Sequence, residues 1–163
     1  MLDEQFKKHY FIRFSLLVFA ILILLIGGSL YLLYRPHNLK MFYWLRAIKL
    51  EKFFYQHNFN STSKLISFCV YSLPNGLWLL SAIVFFGLIW KKEKVIFFFY
   101  SFSFLLVSLL FECLQLTQII SGTFDFNDIF ILVISFLFGV ILYKLIIARN
   151  VRWKKLMENF GGI

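Results

Sequence analysis

The sequence predicts an all-α integral membrane protein: a four-helix bundle with a short interfacial helical segment between the first and second spans. Three observations carry this expectation. Of the 163 residues, 61% are hydrophobic and 21% aromatic, only 15% are charged, and the mean hydropathy is +0.80. An ordinary soluble domain has about 25% charged residues, and a chain this apolar has too little polar surface to cover itself, so lipid is its natural solvent. Four segments approach or exceed the roughly 20 residues needed to cross a bilayer. Finally, no segment keeps up the apolar–polar alternation of a membrane barrel, and in hydrocarbon a helix satisfies its own backbone.

The first expected span is residues 14–34, "FSLLVFAILILLIGGSLYLLY", without a single charge. Its apolar run exceeds the roughly 7–15 residues of a secretory signal core, and no A-x-A cleavage site follows, so a retained helix is expected. Residues 35–72 form a loop. Within it, "NLKMFYWLRAIKLEKFFYQHN" (38–58) interleaves aromatics with Lys40, Arg46, Lys49 and Lys52, and Trp44, Ile48 and Tyr55 share one helical arc. One or two short helices at the membrane surface are expected there, aromatics down and basic heads reaching for water. "FNSTSK" (59–64) reads as a polar linker. The second span, 73–90, is short, with Pro74 suited to a first helical turn. The third runs over 95–120 and the fourth over 127–147, leaving a basic tail at 148–163. All of it forms one domain, 1–163.

The formal net charge is +9. With four spans, both termini, the "KKEK" turn and Lys144 share one side, which holds 11 of the 17 Lys and Arg residues; the 35–72 loop holds six. The positive-inside rule therefore places both termini in the cytoplasm. No nucleic-acid recognition motif accompanies the charge, and membrane lipids with anionic head groups are its expected partners. Cys69 and Cys113 show no metal spacing. His9, His37 and His57 lie outside the spans, and no phosphate loop, H-E-x-x-H or G-x-S-x-G is present. No cofactor is implied.

The third span ends in "FECLQLTQIISGTFDFND", 111–128. A carboxylate facing lipid at mid-bilayer costs about 2.5–3.5 kcal/mol on insertion scales, so Glu112 should face the bundle or a wet cavity. Gln115, three residues on, shares its helix face; Gln118 is rotated partly away. Gly122 is expected to break the helix. Asp125 then suits an N-cap, and Asp128 in the first turn gains from the helix dipole. The hairpin brings Glu112, Gln115, Asp125 and Asp128 to one side of the membrane. Arg35 and Arg46 are on that side as candidate ion partners, and Asn75 and Trp78 of "SLPNGLWLLS" are at the same face. Such a site suits a cation, an amine, a hydroxyl-rich head group or a proton. It shows no nucleophile with a base and an orienting group, so binding is expected over catalysis.

An E-x-x-Q near the end of one span, a short turn, D-x-x-D opening the next span and a glycine further in resemble the VanZ-like family. Here these residues are Glu112, Gln115, Asp125, Asp128 and Gly139; "YRPHN" after the first span, with Arg35 and Asn38, resembles the family at that place too. The chain departs from the pattern in having no Arg ahead of Asp125, Leu132 in place of an Asn, and Ser135 in place of a Gly. The resemblance implies a small multi-pass protein of the bacterial cytoplasmic membrane, in a family whose founding member is associated with low-level teicoplanin resistance. It implies an outer-face site for an envelope lipid, a lipid-linked cell-wall intermediate or an amphiphilic antibiotic such as a glycopeptide. Alternative readings are an enzyme acting on a lipid head group and a structural subunit bound to membrane-protein partners.

Overall fold

Six helices follow one another along the chain: α1 (Leu2–Tyr34), α2 (Lys40–Ala47), α3 (Lys64–Tyr71), α4 (Leu73–Ile89), α5 (Lys94–Leu116) and α6 (Phe126–Phe160). This computed structural model describes residues 2–34, 40–49, 64–120 and 124–160. Residues 59–63 of the polar linker expected at 59–64, Arg35 and Gly122 lie outside the described residues, while Lys64 opens α3. Among the described residues no strand occurs, and the fold class is the all-α bundle that the composition predicts.

Three stretches are long and apolar enough to cross a membrane: Tyr10–Tyr34, Lys94–Leu116 and Phe126–Leu145. A bent pair, Leu65–Tyr71 followed by Leu73–Ile89, is long and apolar enough for a fourth when its two helices are taken as one span; their axes meet at 46°. α3 is thus helical inside the stretch expected to be loop, and it leads directly into the expected second span. The bend has a local cause. Pro74 has no N–H, so the carbonyl of Val70 loses its partner one turn on, and the proline ring crowds that carbonyl. Around the break the backbone stays bonded, Ser72 N–H to the Phe68 carbonyl at 3.0 Å and Asn75 N–H to the Ser72 carbonyl at 3.2 Å. Two other elements outrun their expected limits. α1 is already helical at Leu2, and α6 continues through the basic tail to Phe160.

α4 is the hub: α1, α3, α5 and α6 all pack against it. One flank, with Leu80 and Val84, meets Ala20 and Ile23 of α1. There Ser81 Oγ–H donates to the Ala20 carbonyl at 2.9 Å, a bond between helices. A Cβ on Gly27 would come within 2.9 Å of Trp78 Cδ1, so this glycine makes room for the indole. The other flank, with Leu79 and Ile83, joins Phe97 and Leu105 of α5 and Leu132 and Tyr143 of α6. Phe97 and Tyr143 stack with centroids 3.5 Å apart.

The contacts give the directions of the spans. Ser81 meets Ala20 and Trp78 meets Gly27, so α1 and α4 are antiparallel. Gly76 meets Ile131 and Ser135, Ile83 meets Gly139, and Gly87 meets Tyr143, so α4 and α6 are parallel. α5 runs against both. This is an up-down-up-down bundle, and the outward sides of α1, α5 and α6 carry exposed apolar residues from Phe14 and Leu25 to Phe102, Leu110 and Leu137. In lipid those faces need no cover.

The α4–α6 contact is close because its positions are small. A Cβ at Gly76 would lie 2.6 Å from both Ser135 Oγ and Ile131 Cγ1, and one at Gly139 would lie 2.6 Å from Ile83 Cγ2 and 3.0 Å from its Cβ. Small residues let helices approach where the solvent is as apolar as the side chains. Gly139→Ala is expected to cost about 1–3 kcal/mol by overpacking, read as a lower melting temperature of the detergent-purified protein. Gly28→Ala, with nothing within 4 Å of its added methyl, should leave the melting temperature unchanged or raise it.

Candidate functional site

One seam of α5 faces the bundle: Phe97, Ser101, Leu105 and Glu112 are its buried residues. The spacing of four, four and seven keeps them on one helical face. Glu112 thus occupies a core position one turn before α5 ends, and it is 4% exposed. Asn75, in the first turn of α4, reaches it, with Nδ2 3.5 Å from Glu112 Oε1.

Asp128 comes from the third element. It lies in the first turn of α6 and is 5% exposed. The offset that sets Ile83 against Gly139 and Gly87 against Tyr143, carried back along the two parallel helices, brings Ser72 level with Asp128. Ser72 is buried, and so is Ser135, whose Oγ abuts Gly76. Five polar residues of α4, α5 and α6 and the α3–α4 break therefore gather at one end of the bundle: Ser72, Asn75, Glu112, Asp128 and Ser135. The N-termini of α4 and α6 both open there, and their positive dipole ends favour the two carboxylates.

The expected site residues divide. Glu112 and Asp128 are brought inward at the same end, and Gln115 is half-buried one turn beyond Glu112. Asp125 is exposed and acts as the α6 cap: Oδ1 accepts from Asn127 N–H and Oδ2 from the Asn127 side-chain amide, both at 3.0 Å. Arg46 is exposed in the last turn of α2. Arg35 lies outside the described residues. Trp78 turns toward α1, its ring centroid 5.3 Å from that of Tyr31.

The end of α5 also differs from expectation. The helix stops at Leu116, ahead of Gly122, and Gln118 takes the left-handed conformation with φ 57°. Gln118 N–H bonds the Gln115 carbonyl at 3.0 Å and Ile119 N–H bonds the Leu114 carbonyl at 3.1 Å. That pair of bonds is a Schellman closure, usually built on glycine. Gln118 is consequently not a further rung of the Glu112 face. Sequence reasoning missed Ser72 and Ser135 as neighbours of the acids. Their signal is the spacing Ser72-x-x-x-Gly76 on α4 and Ser135-x-x-x-Gly139 on α6, a small-residue pair on each of two packed helices.

Among the described residues no group of three or more His, Cys, Asp or Glu is placed to hold a metal ion. No protein-family model, curated protein or solved structure matches the chain.

Asp125→Ala removes the cap and is expected to cost about 1 kcal/mol, read as lower thermal stability with the chain still inserted. Asn75→Ala removes the amide that reaches the buried Glu112 and is expected to cost about 0.5–1.5 kcal/mol, read the same way.

Proposed function

We propose that this chain is a divergent VanZ-like protein of the bacterial cytoplasmic membrane. Both termini are cytoplasmic, and the end bearing Glu112, Asn75 and Asp128 opens toward the outer face. There it receives a hydrogen-bond-donating group, an amine or the hydroxyls of a head group, carried by an envelope lipid, a lipid-linked cell-wall intermediate or an amphiphilic glycopeptide. The observation that carries this reading is the burial of two acids, Glu112 and Asp128, from adjacent helices at one end of a membrane bundle. Intramembrane carboxylates are costly, and they mark sites more often than scaffolding. Asn75 adds an amide that orients Glu112. Gln115 lies on the same flank of α5, and Arg46 supplies a cation on the chain between the first two crossings. Two acids and amides recognise hydrogen-bond donors, and the proposed role is binding or shielding of the ligand.

Orientation is tested with single cysteines in a Cys69→Ser/Cys113→Ser background. In intact cells an impermeant maleimide should label Asp125→Cys and spare Lys92→Cys. The reverse pattern would place the acidic end in the cytoplasm and end this reading.

Binding is tested on protein purified from bacterial membranes, with retained lipid measured by native mass spectrometry. A buried hydrogen bond involving a charge contributes about 1.5–3 kcal/mol, so Glu112→Gln and Asp128→Asn should each reduce retention of an amine- or hydroxyl-bearing lipid by roughly tenfold to a hundredfold, at unchanged abundance. Equal retention would refute a site. Loss of abundance in both variants would assign the acids to the scaffold.

A further inference from the structure

The opposite end of the bundle has a different chemistry. The antiparallel register that sets Ala20 against Ser81 brings Arg13 of α1 level with the end of α4 and the turn that follows it. Lys91 and Lys92 are in that turn, and Lys94 opens α5. Tyr143 of α6 donates its hydroxyl to the Trp90 carbonyl at 3.4 Å, which brings Lys144 to the same level. Five cations, from α1, the α4–α5 turn, the start of α5 and α6, thus lie at one level of the bundle. Among the described side chains at this end Glu93 is the one carboxylate, and it is exposed.

The depth of this cluster in the membrane is marked by aromatic residues. Trp90 stacks on Tyr100 with centroids 4.5 Å apart and planes 3° from parallel, and Tyr10 is exposed one turn from Arg13. Trp and Tyr concentrate at head-group level. Toward the bilayer centre from the cations the surface is apolar and open: Phe14 is 64% exposed on α1 and Ile89 64% exposed on α4.

We propose that this end is a binding site for an acidic glycerophospholipid. Its phosphate sits between Arg13 and the Lys91–Lys92 turn, and its acyl chains lie along Phe14 and Ile89. The apolar flank selects a lipid over a soluble phosphate, and the unbalanced cations select an acidic lipid over a zwitterionic one. The crowding of like charge agrees with this. Desolvation first, then the charges of Arg13 and Lys92, hold the Lys91 pKa below the ordinary lysine value. A phosphate among them relieves that repulsion. This site lies at the other end of the bundle from Glu112 and stands independently of the function proposed there.

Trp90 beside Lys91 is the reporter. The full chain is reconstituted in vesicles of phosphatidylcholine with increasing dibromo-phosphatidylglycerol, or with dibromo-phosphatidylcholine as the reference. Subtracting the signal of Trp90→Phe isolates quenching at Trp90. The expected result is preferential quenching by the acidic lipid, falling by about fivefold for each cation removed. Arg13→Gln, Lys91→Gln and Lys92→Gln combined should abolish the preference, while Lys49→Gln, in the segment between α1 and α3, should leave it intact. High salt should weaken it. Equal quenching by both lipids in the unsubstituted chain, or a preference that survives the triple substitution, would overturn the assignment.

Discussion

Everything in this bundle turns on how closely α4 and α6 approach. At Gly76 and Gly139 one helix lies against side-chain atoms of the other with no space for a methyl group. In a membrane, lipid tails are as apolar as leucine, so burying Leu or Phe between helices gains little over leaving it in the bilayer. Dispersion between closely fitted surfaces then carries more of the association, and small residues allow that fit. The parallel direction of α4 and α6 leaves α5 to run antiparallel between them in the chain, so that its core-facing seam meets both. α1 completes the bundle through a second close contact, where Gly27 receives the Trp78 ring and Ser81 bonds across to α1.

That packing also gathers the polar groups. Because α4 and α6 start at the same end, Ser72 and Asn75 lie at the end that holds Asp128, and because α5 ends there, Glu112 meets Asn75. Each residue alone is an isolated polar group in an apolar helix. Together, with two helix N-termini, they form a local environment in which buried carboxylates are tolerable. The bend at Pro74 belongs to the same arrangement, since it turns α3 away at the level where the acids lie. The other end holds Arg13, Lys91, Lys92, Lys94 and Lys144. The bundle is thus chemically polarised along its long axis, with buried acids at one end and cations at the other.

Much of this was legible in the sequence. The spans, the all-α class and the cap at Asp125 follow from apolar length and from residue types with strong local preferences, because lipid forces a helix to satisfy its own backbone. Local rules were less secure at the edges. Gly122 was the expected terminator of α5, yet the chain closes four residues after Glu112 with Gln118 in a left-handed conformation. Residues 64–71 read as loop because they are brief and follow a polar linker, yet they extend the short second span as a bent helix. In both places the length of a crossing and its packing outweighed the nearest punctuation residue.

The amino-acid order, then, indicates the solvent, the all-α class and the runs long enough to cross a bilayer, since these depend on neighbouring residues. It also marks Glu112 as a group that must turn inward. Which acids share an interior is a different kind of question. Asp125 and Asp128 are equally acidic and three residues apart, yet Asp125 is exposed and bonded to Asn127 while Asp128 is buried. That difference comes from the rotation of α6 about its axis, which the contacts of Gly139 and Ser135 with α4 impose. Such a rotation is a property of two surfaces fitted together, and only the folded bundle contains it.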